Sequence, residues 1–173
     1  ALYKLLEEEW GHEGFLRWLQ TLRREYSTRR DGIVNACEDH LPTDIVKFEA
    51  PMAGMFHWLR VDGSKHPMWQ EKSKDLKTEA EKRALLLEIE EQIFQTAASK
   101  YVLIARGSWF RSEKDNHFEP VSQGYTNGHA EEVHTGELNT DLYFRMTFAA
   151  APQDKIAEAV RRFGETLRVE FGV

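Results

Sequence analysis

The segment at residues 142–150 constrains the fold most, because it places a single arginine inside an otherwise apolar, strand-like run. Tyr143, Phe144 and Phe148 are residue types that favour a half-buried, pleated strand. Arg145 lies among them, and a charge that is buried without a partner is costly. Its guanidinium therefore has to reach a partner carboxylate, the edge of the sheet or a ligand. The planar fork suits a bidentate carboxylate, which lysine cannot bind in the same way.

Two interpretations of Arg145 stay open at this point. In the first, the side chain lies on an edge strand, where it pairs with a surface acid or extends its charged end to water. This is the commoner behaviour of long basic side chains. In the second, a rigid strand presents the guanidinium to an anionic ligand.

Size and charge exclude several classes of protein. The chain has 173 residues, 41% of them hydrophobic and 30% charged, which is typical of one globular domain. The net charge of −6, without a basic stripe, argues against nucleic acid as the main partner. No apolar run is long enough for a membrane span, and no signal or transit pattern opens the chain. The single cysteine, Cys37, fits a reducing compartment, so we expect a cytoplasmic location.

The first part of the chain, residues 1–42, is predicted to be helical. Apolar residues recur at helical spacing from Phe15 to Leu41, with basic residues on the other face. A helix of this length is too long for one small core. We therefore expect it to connect two domains or to bend at Gly32.

Residues 43–173 are predicted to form an α+β domain. Two stretches, 62–82 and 111–140, are polar and are predicted as loops, the first including the start of a solvated helix. The predicted elements are short strands at 45–48 and 55–61, a helix at 84–98, an apolar strand at 101–105 that is buried on both faces, the strand that carries Arg145, and a last helix that starts near Pro152. The fold class is therefore α+β, with a small, mostly antiparallel sheet, helices packed on one of its faces, and the long helix in front.

The residues do not form a complete catalytic motif. His129 and His134 flank two glutamates, but their spacing is not that of a zinc protease and no third ligand is near, so we expect no metal site. The chain has no glycine-rich phosphate loop and no nucleophile elbow. Cys37 lies on a predicted buried helix face, which favours a core thiol over a nucleophile.

Five segments, in order and spacing, resemble the C-terminal small domain of fold-type I, pyridoxal-phosphate-dependent aminotransferases. Residues 51–59 (PMAGMFHWL), 103–110 (LIARGSWF) and 143–149 (YFRMTFA) resemble three segments of that family. Residues 26–31 (YSTRRD) are similar to a fourth segment, within the opening helix. Residues 163–172 (FGETLRVEFG) are similar to the ending of the fungal aromatic and 2-aminoadipate aminotransferases, which are relatives of kynurenine aminotransferase.

The resemblance implies that Arg145 grips the α-carboxylate of the substrate and that Phe110 lines the substrate pocket. It implies a homodimeric transferase that moves an amino group between an aromatic amino acid and a 2-oxo acid with pyridoxal 5′-phosphate as cofactor. The Schiff-base lysine, the aspartate at the pyridine nitrogen and the phosphate-binding residues belong to the family's large domain, which we expect before Ala1. The chain is thus expected to be a fragment that alone binds no cofactor and is inactive. The family's proline before Gly107 is replaced by Arg106, so the turn there has to be tested.

A second class of function stays open. The chain would then be a non-enzymatic α+β module that binds a partner or a small anion, with only an ancestral likeness to transaminases. If the chain is instead part of an aminotransferase, the surface that meets the large domain should be apolar where it is exposed. We expect that surface around Trp10, Phe15 and Trp18.

Overall fold

The computed structural model of the chain describes residues 3–111 and 138–173. His129 and His134, and most of the predicted loop at 111–140, lie outside the described residues. The elements, in chain order, are a π-helical turn (Lys4–Glu9), α1 (Gly11–His40), β1 (Val46–Phe48), β2 (Phe56–Asp62), a 3-10 turn (Gly63–Lys65), α2 (Pro67–Lys72), α3 (Glu79–Ser99), β3 (Ala105–Arg106), a second 3-10 turn (Gly107–Phe110), β4 (Asp141–Thr147) and α4 (Gln153–Phe171).

The four strands form one antiparallel sheet with the spatial order β1-β2-β4-β3. β2 and β4 pair along their full length, with Phe56 opposite Thr147 at one end and Asp62 opposite Asp141 at the other. Buried and more exposed side chains alternate along both strands, as a sheet with one covered face requires. The predicted α+β class is confirmed. Because β4 is an inner strand, the interpretation that placed Arg145 at an edge is wrong.

The covered face of the sheet carries the core. One buried cluster joins side chains of β1, β2 and β4 to side chains of α1, α3 and α4. Phe144 of β4 is fully buried and meets Phe163 of α4 edge-on, with ring centroids 5.5 Å apart. None of the helices in the two described ranges is long and apolar enough to cross a membrane.

Helix α1 runs for 30 residues without interruption, so Gly32 does not end it. A bend at Gly32 and a connection between two domains both stay predictions. Only the second half of α1 is buried, where Ile33, Ala36 and Cys37 join the core. The Cys37 thiol is fully buried, and this burial, aided by the charge of Glu38, raises its pKa to about 12. Cys37 is therefore the expected core thiol. The boundary between residues 42 and 43 stays a prediction.

The prediction of a polar loop at 62–82 is wrong in part, because local capping organises this segment. The backbone N–H of Met68 donates to Nδ1 of His66 at 3.2 Å, which caps the start of α2. Thr78 and Glu81 form a capping box that starts α3 earlier than its apolar pattern indicated. Caps satisfy the first N–H groups of a helix irrespective of how polar its surface is.

The prediction of a doubly buried strand at 101–105 is also wrong. Val102 and Ile104 are 4% and 2% exposed, whereas Tyr101 and Leu103 are 90% and 86% exposed. Strand β3 contains only Ala105 and Arg106 and lies at the edge of the sheet, paired with β4. A continuous apolar run therefore concealed an alternation between the core and the surface.

Candidate functional site

The second face of the sheet is the candidate site, and we call it the open face. Side chains of β2 and β4 alternate, so those that do not enter the core project here together. A further ring comes from the 3-10 turn that follows β3. The side chains that define the open face are Phe56, Trp58, Arg60, Tyr143, Arg145 and Phe110. Four aromatic rings, each 36% to 46% exposed, thus surround two cationic groups on a rigid support.

Arg145 occupies the middle of this face. It lies directly opposite Trp58 on β2 and opposite Ala105 on β3. Its guanidinium carbon is 4.0 Å from the ring centroid of Phe56 and 4.0 Å from that of Phe110. Among the described residues the rings of Phe56 and Phe110 do not contact each other, although both lie 4.0 Å from the same carbon atom, so they approach the guanidinium from two sides. This arrangement is a double cation–π contact.

Arg145 differs from the other arginines of the sheet in its partners. Arg60 pairs with Asp141 at 3.4 Å, and Arg106 pairs with Glu91. Within residues 3–111 and 138–173, by contrast, no carboxylate oxygen lies within 4.0 Å of a guanidinium nitrogen of Arg145. In this part of the protein, only ring faces contact the charged group of Arg145. Its N–H donors are therefore available to a ligand.

Backbone packing fixes the turn that carries Phe110. A Cβ atom at Gly107 would lie 2.7 Å from both the Cβ and the carbonyl oxygen of Tyr143, so only glycine fits. The N–H of Ser108 donates to Glu90, a carboxylate 2% exposed, at 3.1 Å. The ring of Phe110 also meets Trp58 edge-on, with centroids 5.4 Å apart. The packing at Gly107 and the hydrogen bond of Ser108 therefore fix the turn, and Trp58 contacts one side of the Phe110 ring.

Arg106 stands where the resembling family segment has a proline. Its φ of −75° is a value that proline also adopts. The guanidinium lies 5.7 Å from the ring centroid of Phe94 and 5.1 Å from that of Trp109, in addition to its pairing with Glu91. These contacts hold the Arg106 side chain between α3 and the turn.

A shallow recess of about 600 Å³ adjoins the open face beside Arg60 and Tyr143 and includes Lys47 of β1. A separate, largely apolar groove of about 470 Å³ runs between α1 and residues 51–55. Before this groove in the chain, Trp10, Leu16, Trp18 and Leu19 are exposed apolar side chains. The ring of Trp18 contacts those of Trp10 and of the half-buried Phe15. Exposed apolar surface is thus present at Trp10 and Trp18, whereas Phe15 is only partly exposed.

The open face fits a carboxylate better than it fits pyridoxal phosphate. That cofactor needs a lysine amine for its covalent link and several donors for its phosphate. Lys47 lines the recess but is exposed, and it lies on β1, the strand beyond β2 from Arg145. The donors here suit a single planar anion, and the resemblance assigns the cofactor's ligands to the large domain.

The two predicted site residues, Arg145 and Phe110, are in direct contact. Sequence reasoning did not identify Phe56 and Trp58 as their neighbours. The alternation of residues 56–60 placed Phe56 and Trp58 on the same face of a strand, but the partner strand and its register come only from the fold.

Comparison with known proteins agrees with the motif resemblance. The chain is 38% identical to aminotransferase swnA of Metarhizium robertsii, over 99% of this chain and 30% of that protein. It is 29% identical to an aromatic amino acid aminotransferase of Schizosaccharomyces pombe, over 98% of this chain and 29% of that protein. No family model matches the chain.

Comparison with a solved structure shows that the fold, too, is similar to that of an aminotransferase. The aminotransferase Aro8 from Candida albicans matches with a TM-score of 0.74 and 31% identity, over 99% of this chain and 30% of that one. The chain therefore spans less than a third of the length of the relatives it matches. By sequence and by fold, this chain is a homologue of the fungal aminotransferases, and it resembles the C-terminal small domain of fold type I.

Proposed function

We propose that the open face binds the α-carboxylate of an amino acid or 2-oxo acid through Arg145, as part of a pyridoxal-phosphate-dependent aminotransferase. The observation that carries this proposal is the guanidinium of Arg145. It lies on an inner strand, flanked by rings and without a carboxylate partner in the part of the chain that the structure describes. A guanidinium edge matches a carboxylate with two parallel, charge-assisted hydrogen bonds.

The surrounding rings support an aromatic substrate. Trp58, Phe110 and Tyr143 are each more than a third exposed, so their surfaces are available for stacking. The Schizosaccharomyces pombe relative is named for aromatic amino acids. We infer that Phe110 lines the pocket for the substrate side chain.

The carboxylate site can be tested on the chain itself. Phenylpyruvate, an aromatic 2-oxo acid, is titrated while the side-chain N–H signal of Arg145 is followed by NMR. Each charge-assisted hydrogen bond contributes about 1.5–3 kcal/mol, so Arg145→Ala should weaken binding at least tenfold. Arg145→Lys keeps the charge but loses the planar fork, and should restore only part of the affinity.

A matched control removes an arginine elsewhere. Arg161 of α4 pairs with Glu158 and Glu165 on a different surface. Arg161→Ala should leave the affinity for phenylpyruvate unchanged. Equal affinities of the parent chain and Arg145→Ala would refute the carboxylate site.

Amino transfer itself requires residues beyond this chain in our proposal. A large domain would supply the lysine and the phosphate site, and it would cover the apolar side chains of α1 from Trp10 to Leu19. The chain alone should then give no aldimine absorbance band with pyridoxal phosphate and no transamination. Appearance of that band would contradict this division of labour. Homodimer formation and a cytoplasmic location stay predictions.

A further inference from the structure

Within the described part of the chain, the guanidinium of Arg145 is held by ring contacts and not by hydrogen bonds. No hydrogen bond from its side chain to another described residue accompanies the two ring contacts at 4.0 Å. Phe56 and Phe110 are 40% and 46% exposed, so each ring has one surface on the guanidinium and part of its surface in solvent. The two rings therefore act as walls on either flank of a planar cation.

We propose that Phe56 is a positioning residue for Arg145, and that Phe56 and Phe110 together limit the site to planar anions bound at the guanidinium edge. This inference rests on the proposed carboxylate site. With its two flanks covered, the guanidinium offers a ligand only the in-plane N–H donors. A carboxylate accepts two of these donors in that plane. A substrate ring has no free guanidinium surface to stack on, so it must lie against the outer ring surfaces.

Phe56 and Phe110 are held in place by different elements, and substitution of Phe56 is the more informative test of the positioning role. Phe56 belongs to β2, whose pairing with β4 fixes its position relative to Arg145. Phe110 lies in the turn held by Gly107 and Glu90. A long arginine side chain loses conformational freedom when it binds a ligand. A ring that orders it beforehand removes that cost from the binding step.

The first measurement is made without any ligand. Aromatic ring currents shift the side-chain N–H signal of Arg145 upfield while both rings are in place. Phe56→Leu removes one ring and keeps an apolar side chain, so the signal should move downfield. Phe56→Tyr restores a ring and should restore the signal. Phe15→Leu is the matched control, because it removes a ring that contacts Trp18 of α1 and not Arg145.

The second measurement compares two acids that differ in one ring. Pyruvate has the carboxylate and the 2-oxo group but no aromatic ring, whereas phenylpyruvate has all three. If Phe56 acts through Arg145, Phe56→Leu should weaken both acids by a similar factor of about five. Phe56→Tyr should recover most of the affinity for each, and Phe15→Leu should change neither.

The contrary outcomes separate this inference from the proposed function. An unchanged Arg145 signal in Phe56→Leu overturns the positioning role, whether or not the acids bind. Weaker binding of phenylpyruvate alone also overturns it, because Phe56 would then contact the substrate ring directly. If Arg145→Ala binds both acids as well as the parent chain does, the carboxylate site itself fails.

Discussion

The two faces of the β2–β4 pair use the same kinds of side chain in different surroundings. On the covered face, Leu59 and Phe144 are fully buried. On the open face, Trp58 and Tyr143 are 41% and 36% exposed, although they too are large and mostly apolar. The difference lies in what covers each face, because helices bury the first and an arginine stands among the rings of the second. One face therefore contributes chiefly to stability, and the other is available for binding.

The largest expected effect is on stability, and it should differ between two neighbouring residues on opposite faces of the sheet. Phe144→Ala empties a fully buried site against Phe163 and should destabilise the chain by about 3–5 kcal/mol. Tyr143→Ala, one position earlier on the open face, should cost less than about 1.5 kcal/mol, because its ring is already partly hydrated. Urea denaturation of both variants measures the difference. Equal losses would show that the open face is as much a part of the core as the covered one.

A substitution in the turn that carries Phe110 should affect both the stability of the chain and the binding of the ligand. Gly107→Ala places a methyl group against the backbone of Tyr143, so the turn must move, at an expected cost of about 1–3 kcal/mol. Because this turn carries Phe110, the Arg145 N–H signal and the affinity for phenylpyruvate should change as well. Denaturation and NMR titration of the same sample test both expectations. A loss of stability without any change at Arg145 would separate the turn from the site.

The sequence predicted the two central strands but not what surrounds them. The strand that carries Arg145, predicted from residue types that favour a pleated surface, and the strand predicted at 55–61 are present as β4 and β2. The contact of Phe56 with Arg145 does not follow from the sequence, because strand order and register depend on long-range packing. The prediction of a doubly buried strand at 101–105 was wrong for a related reason, because an apolar run does not reveal that the sheet ends there.

Phe110 illustrates a different limit. Nothing local to the sequence indicates that this ring reaches Arg145, and only the family resemblance pointed to it. In the structure the contact depends on Gly107 and on the buried carboxylate of Glu90, which come from different elements. Arg106, in place of the family's proline, has a φ that proline also adopts, and its ring and ion-pair contacts are ones that pattern matching cannot foresee.

A titratable group on the covered face should make stability depend on pH. His57 of β2 is fully buried, its two ring nitrogens have no hydrogen-bond partner among the described residues, and this burial lowers its pKa. The folded chain then keeps this histidine neutral, whereas the unfolded chain protonates it below about pH 6.5. The stabilisation is complete above that pH and is lost as the pH falls, by at most about 1.4 kcal/mol per pH unit.

Replacement of His57 tests this expectation. His57→Leu should reduce the loss of stability between pH 7 and pH 5, as measured by urea denaturation at both values. His66 titrates in the same direction, because burial also lowers its pKa against the opposing effect of Glu170. Some acid sensitivity should therefore remain in the variant. An unchanged pH dependence in His57→Leu would assign all of it to other groups.

The smallest expected effect concerns the second arginine of the open face. Arg60 pairs with Asp141 at 3.4 Å, and both side chains are partly exposed, so the pair should contribute less than about 1 kcal/mol. Arg60→Ala should thus hardly change the free energy of unfolding, and the little that it changes should fade at high salt. Its carboxylate partner also offsets its charge, so the affinity for phenylpyruvate should fall much less than in Arg145→Ala. A comparable fall in both variants would mean that the open face attracts anions through its overall charge. In that case the ring-flanked geometry of Arg145 would not be what selects the ligand.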